Sequence, residues 1–239
     1  VLNIANAIKH ANGKYTKTIA PGDCLYEEYT LCNWMKYMKN NDILVSFGDA
    51  VYYSGVKNTK IFKTKGSPVN KKIFSLKSKY SQIFLDYIVA NDTILGAAQL
   101  MRTDVLKKYI HLIENRILYA EDYMIRIMIY DGIRVCYYPD LVVWYEYGTG
   151  ISTSQNDKWE KLLHNDFEAS NTIIQQRNIK NRMQKKYQKY LKYRKNNQHG
   201  KMLKLIYFPK IILYRMKMRW TKTYIHPEIN KDKINWFVK

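Results

Sequence analysis

The chain is poor in cysteine, has no long apolar run and carries almost no acid in its last quarter. Its three cysteines, Cys24, Cys32 and Cys136, are odd in number, scattered and without metal-ligand spacing. That excludes a disulfide scaffold and fits a reducing cytoplasm. No uninterrupted apolar stretch approaches the ~20 residues of a membrane span. No signal-peptide pattern is visible, and no internal repeat. Helix-turn-helix, zinc-finger and RNA-recognition signatures are missing too, so the formal charge of +20 is not read as a nucleic-acid footprint.

What is present is a globular composition. Of 239 residues, 46% are hydrophobic, enough for a substantial core. The 22 tyrosines suit carbohydrate contacts and membrane interfaces, because an apolar ring carries a polar tip; an AT-rich gene would give the same excess. The charge is uneven. Residues 180–239 hold 18 Lys and Arg against two acids, Glu228 and Asp232, a net of +16. Within that tail, residues 202–220 interleave cations with Leu203, Ile206, Phe208, Ile211, Ile212, Leu213 and Trp220. Basic residues beside such side chains suit an interfacial helix on an anionic membrane surface. A packed helical hairpin with a solvated basic face is the structural alternative.

Two acidic positions carry the chemistry. Glu121 and Asp122 open an apolar helix that Gly132 closes, followed by the strand-like run Arg134 to Pro139. A carboxylate at a helix N-terminus is held ionised by the macrodipole and free N–H groups, as a general base requires. Acids there also serve as plain caps. Earlier, the alternating run Gly13 to Ala20 leads into Pro21-Gly22-Asp23. Pro then Gly fills the centre of a type II turn, presenting Asp23 beyond a strand's carboxyl end, where open α/β sheets bind ligands. One carboxylate plus substrate phosphates is a normal way to hold Mg²⁺ or Mn²⁺.

These residues, in this order, resemble the later part of a family 2 (GT-A type) glycosyltransferase. The helix Asn3 to Tyr15 before Ile19 to Leu25 resembles the family's approach to its Asp-x-Asp motif. Ile94 to Arg102 resembles its acceptor-side segment, Glu121-Asp122 its Glu-Asp motif, and Pro139 to Ser154 the following strand and loop. The family usually has Asp-x-Asp-Asp where this chain has Ala20-Pro21-Gly22-Asp23. The resemblance covers roughly residues 1–155 and has no counterpart of the nucleotide-binding N-terminal half, so the chain is expected to be part of a longer enzyme and inactive alone.

The resemblance implies an α/β fold: a partial GT-A (Rossmann-like) domain over 1–155, then a basic helical, membrane-associating appendage over 156–239. It implies an inverting glycosyltransferase that moves a sugar from a nucleotide-sugar donor to a glycan or polyprenyl-diphosphate-linked acceptor, in bacterial surface polysaccharide synthesis. Asp122 would be the catalytic base. Glu121, Gly96, Ala97 and Arg102 would support the acceptor. Gly22 and Asp23 would meet the nucleotide-sugar, with Asp23 holding a divalent cation, Mn²⁺ or Mg²⁺. No nucleic acid is expected as a partner, and the location is the cytoplasmic face of the cell membrane. A glycosyltransferase-like scaffold without catalysis is the alternative.

The pattern predicts helices over 3–11, 27–40, 73–89 (broken near Ser78) and from an N-cap at Thr103 to 114. It predicts strands over 14–20, 43–53 and 92–101, and two strands after the Glu-Asp helix. Residues 56–72 read as a loop or β excursion. Residues 156–193 read as one long helical region, broken at Asn196 to Gly200. The loop from Tyr147 to Asn156 is expected to close over the donor.

Overall fold

A computed structural model describes residues 1–54, 60–65, 68, 70–120, 122–147, 157–195, 200–220, 228–230 and 232–233. The described chain is mixed α/β. Its central strands are β3 (Val45–Ser54) and β6 (Val135–Glu146), which pair in parallel. Both read as almost continuous apolar runs because both faces are covered. β5 (Gln99–Arg102) lies antiparallel on the other side of β3, with β1 (Tyr15–Thr16) beyond it. β2 (Cys24–Leu25) flanks β6, giving the order β1-β5-β3-β6-β2. β4 (Lys60–Lys65) folds back on the second half of β3, so the excursion expected over 56–72 contains a strand.

Helices α1 (Leu2–His10), α4 (Thr103–Ile113) and α5 (Tyr123–Asp131) pack against the sheet, and α2 (Thr30–Asn40) seals β6 from the other face with Trp34 and Met38. α3 (Tyr80–Ile83) continues as a π-helical turn over Phe84–Val89, after a 3₁₀ turn at Lys71–Phe74. Two long helices, α6 (Asp157–Gln175) and α7 (Arg182–Lys195), replace the single one expected. Between them Gln184 takes the N–H groups of Lys180 and Asn181, and Asn181 returns a bond to the Gln184 N–H. That reciprocal side-chain cap starts α7 afresh. α8 (Gly200–Tyr207) and α9 (Lys210–Trp220) follow.

Other expectations change in physical detail. The strand expected over 14–20 is only two residues long, because the chain turns away toward Pro21. Only the end of 92–101 is extended, after a 3₁₀ turn at Gly96–Ala98. Thr103 is the first helical residue rather than the cap. Its hydroxyl is spent on Gly13 O and on the Thr16 hydroxyl, tying α4 to the first strand. The two strands after the Glu-Asp helix are one long strand with a bulge. There Phe47 pairs with Tyr137 but Asp49 pairs with Leu141. Gly48 lets the backbones close: a Cβ there would meet the Val142 side chain at 2.4 Å and Asp140 O at 3.0 Å.

One large core runs from Ala5 and Ile8 through Phe47, Phe84 and the Met124–Tyr130 face of α5 to Ile173, Ile174, Tyr187, Phe208 and Ile211. The composition changes near residue 156, but the packing runs across that point. The bulge holds a buried pair within this frame. Lys71 Nζ donates to Asp49, and the Tyr137 hydroxyl donates to the other Asp49 oxygen at 2.6 Å. Asp49 is fully buried and Lys71 nearly so. Removing one member of a buried pair strands the other charge. Lys71→Met is therefore expected to lower unfolding free energy by ~3 kcal/mol in urea titration, and Lys71→Met with Asp49→Asn by clearly less.

Candidate active site

The Pro21–Gly22 turn forms as its residues dictate. The Asp23 N–H donates to Ala20 O at 3.1 Å, and Gly22 has φ +90°, the left-handed value a type II turn needs. The turn is bolted to the carboxyl ends of the two central strands. The Tyr53 hydroxyl, from the end of β3, donates to Gly22 O. The Glu146 N–H, at the end of β6, donates to Asp23 Oδ1 at 3.0 Å. A Cβ on Gly22 would lie 2.0 Å from a Glu146 carboxylate oxygen, so the Glu146 side chain packs directly over this glycine.

The electrostatics follow from this packing. Burial pushes the Asp23 carboxyl up to about 6. The Glu146 N–H and the Lys17 charge pull it back, and the Glu146 carboxylate pushes it further up. Burial lowers the Lys17 ammonium to about 8 against the opposing pull of Asp23. Lys17 Nζ donates to Thr18 O at 2.7 Å and to Ala97 O. It thereby joins the Asp23 turn to the Gly96–Ala98 segment. Tyr52, Tyr145 and Tyr147 stack edge-on beside the turn, with ring centroids 5.0 and 5.8 Å apart.

Asp122 stands at the N-cap of α5 and is half-buried, yet its side chain makes no capping bond there. Its charge raises the hydroxyl pKa of Tyr87 and Tyr123, after burial, while Arg126 one turn on lowers both. Met124, two residues along, lines a small cavity together with Thr16, Thr18, Gly96 and Gln99. The first turn of α5, the segment leading to Asp23 and the Gly96 turn thus border one space.

The loop before Asp122 is held from a distance. The buried Asp166 of α6 accepts the N–H groups of Leu118, Tyr119 and Ala120 at 2.8, 2.9 and 2.9 Å. Arg126, also buried, reaches the Tyr187 hydroxyl at 3.0 Å and lies 4.5 Å over the Phe167 ring. These contacts fix both the axis of α5 and the loop that enters it.

Of the residues singled out from sequence, Gly22 and Asp23 share one turn that Lys17 links to Ala97, and Gly96 shares a small cavity with Met124, two residues past Asp122. Arg102 does not join them. Its N–H bonds to Leu44 O, at the opposite end of β3 from Tyr53, and nine strand residues span roughly 30 Å. Its guanidinium is taken by Asp104 at 3.0 Å. Glu121 and the loop residues 148–156 lie outside the described residues. Sequence reasoning missed Lys17, Glu146 and Asp166. Only Asp166 left a trace, as an acid set beside apolar Phe167 in a helix whose buried face it shares.

Among the described residues no group of three or more His, Cys, Asp or Glu side chains gathers to hold a metal. At the turn, Asp23 and Glu146 offer a pair of oxygen donors. Such a set fits a hard divalent ion that draws its remaining ligands from phosphates and water. A scan against protein-family models finds no match to this chain, and no curated protein is similar enough to count as a relative.

The Asp23 shift gives a stability test. Its folded pKa lies above the ordinary carboxylate value, so the folded state binds the proton more tightly. The ionised carboxylate therefore weakens the fold above about pH 6, and the effect fades as pH falls toward 4. Asp23→Asn keeps an acceptor for the Glu146 N–H. It is expected to melt higher than wild type at pH 7.5 and at the same temperature at or below pH 4.

Proposed function

We propose that the chain forms the acceptor-side part of an inverting GT-A glycosyltransferase. The observation that supports this most is a chain of contacts: Glu146 holds Asp23, Lys17 beside Asp23 bonds Ala97 O, and the adjacent Gly96 shares a small cavity with Met124 of the first turn of α5. In this reading Asp23 and Glu146 hold a divalent cation, which supplies charge neutralisation for a departing nucleoside diphosphate. Lys17 adds a positive charge beside them. Asp122 accepts the proton of the acceptor hydroxyl as it attacks from the face opposite the leaving group. It stands at the N-terminus of α5, where the helix dipole favours the ionised form. Asp166 and Arg126 keep it in place. Gly96 and Ala97 bound the acceptor side, where a side chain larger than methyl would narrow the space.

The donor is a nucleotide-sugar and the acceptor a glycan or polyprenyl-diphosphate-linked glycan, as in bacterial surface polysaccharide synthesis. Among the described residues no helix is long and apolar enough to cross a membrane. Association with an anionic inner-membrane surface through the basic tail is part of the proposal. Met202, Leu205, Ile206, Ile212, Leu213 and Met216 are exposed there, so cations and apolar side chains share one region. Phe208 and Ile211, expected at that surface, are instead buried in the core, and the Trp220 side chain lies outside the described residues.

In the protein that carries the nucleotide-binding half, Asp122→Asn is expected to lower kcat ~10³-fold, within the range for loss of a general base. Donor Kd, measured by calorimetry, should stay within about twofold. Turnover near wild type would assign the base elsewhere; no turnover in the wild type, with donor bound, would favour a scaffold. Tail binding is read by vesicle sedimentation. Phosphatidylglycerol vesicles should retain the chain at low salt and release it progressively as salt rises, whereas phosphatidylcholine vesicles should not retain it. Equal retention by both would remove the electrostatic reading.

A further inference from the structure

A second and larger cavity lies away from the central sheet. It is a groove of about 900 Å³ between the Asn70–Leu85 segment, the start of α7 and the elbow where α8 meets α9. That volume is within the ~300–1,000 Å³ of small-molecule sites. Its floor is apolar: Ile73, Leu85, Met183 and Phe208 line it, and Pro209 shapes the elbow. Its rim is cationic. Lys72, Arg182, Lys186 and Lys210 surround it, all exposed, and no carboxylate is among its lining residues. The hydroxyl of Tyr214, one of the lining residues, donates to the buried Asp86. Burial and the neighbouring Asp92 push that carboxyl well above the usual range, which weakens it as a competing charge.

Four cations around an apolar trough are a poor match to two common occupants. Nucleic acid makes little use of an apolar floor, and an acidic peptide would leave the trough unfilled. An anionic headgroup with an acyl chain satisfies both parts at once. The groove also opens beside the exposed apolar side chains of α8 and α9, including Ile212 and Leu213. These are the groups that would enter the headgroup region of a bilayer.

We propose that this groove binds one anionic phospholipid of the membrane, its headgroup phosphate among Lys72, Arg182, Lys186 and Lys210 and one acyl chain along the Ile73–Phe208 floor. This rests on the membrane reading above and sharpens it from a diffuse surface to one stoichiometric site. The helical elbow thereby docks on the bilayer at a defined point, and the sheet edge is held at a fixed height above it.

The test uses the full chain and a monomeric lipid. Dihexanoyl-phosphatidylglycerol, kept below its micellar concentration, is titrated by calorimetry. The expected result is saturable 1:1 binding, at least tenfold tighter than for dihexanoyl-phosphatidylcholine and for inorganic phosphate. Lys72→Glu with Lys186→Glu should weaken it at least tenfold; both side chains are exposed, so folding, checked by circular dichroism, should be kept. Met183→Trp, which fills the floor, should weaken the lipid but not inorganic phosphate. Phosphate binding as tightly as the lipid, or lipid binding unchanged in both variants, would overturn the groove. Vesicle binding without 1:1 lipid binding would also overturn it, while leaving the surface reading intact. Loss of vesicle binding in the wild type would end both.

Discussion

The parallel pairing of β3 with β6 is the constraint from which the rest follows. It sends the carboxyl ends of two buried strands to the same edge. The end of β3 supplies the Tyr53 hydroxyl and the end of β6 the Glu146 N–H, and these two bonds hold the Pro21–Gly22–Asp23 turn. Parallel strands need a long crossover, and everything from β4 to α5 lies in that connection. The crossover returns to the sheet carrying the Gly96 turn and the Glu-Asp loop. One pairing therefore decides which residues can meet.

Buried charge is handled pair by pair. Asp49 is matched by Lys71 and Tyr137 inside the bulge. Asp166 is satisfied by three backbone N–H groups, while the Arg126 guanidinium reaches oxygens from three elements and an aromatic face through its terminal nitrogens, its Nε staying without a hydrogen bond. Asp23 and Lys17 differ. Each is partly desolvated, and each leans on the other across a gap rather than through a direct bond. Their pKa values move toward neutrality from opposite sides. Perturbed groups of this kind cluster at functional sites, whereas Asp49 and Asp166 are held by direct bonds.

The helices after residue 156 tie these two kinds of site together. α6 supplies Asp166 and Phe167 to the loop and helix of Asp122, and α7 supplies Tyr187 to Arg126. The same α7, with α8 and α9, walls the cationic groove. The basic tail is therefore continuous with the core that orients the proposed base, and a change in how it sits is felt at α5 through Arg126.

Local patterns carried much of this. The Pro-Gly turn before Asp23, the apolar period of α5 with its Gly132 stop, the continuous apolar run of β3 and the break near Ser78 were all legible, because each depends on backbone preferences within a few residues. So was the charge imbalance of the tail. Strand lengths in the 14–20 and 92–101 runs were not, since a strand lasts only as long as its neighbour offers hydrogen bonds. The place of Arg102 was lost because a sequence motif gives order along the chain, while the register of β5 on β3 puts its two ends at opposite sides of the sheet. Lys17 meeting Ala97, Asp166 meeting Leu118 to Ala120, and Lys71 meeting Asp49 join residues 80, 46–48 and 22 positions apart. A lone charge in a sequence does not say whom it will meet. By itself the sequence determined the elements, their turns and the surplus of cations, which rest on local sterics and solvation. Only the tertiary structure decided which charges are buried together and which share a cleft, because those depend on long-range pairing that brings distant chain into low dielectric.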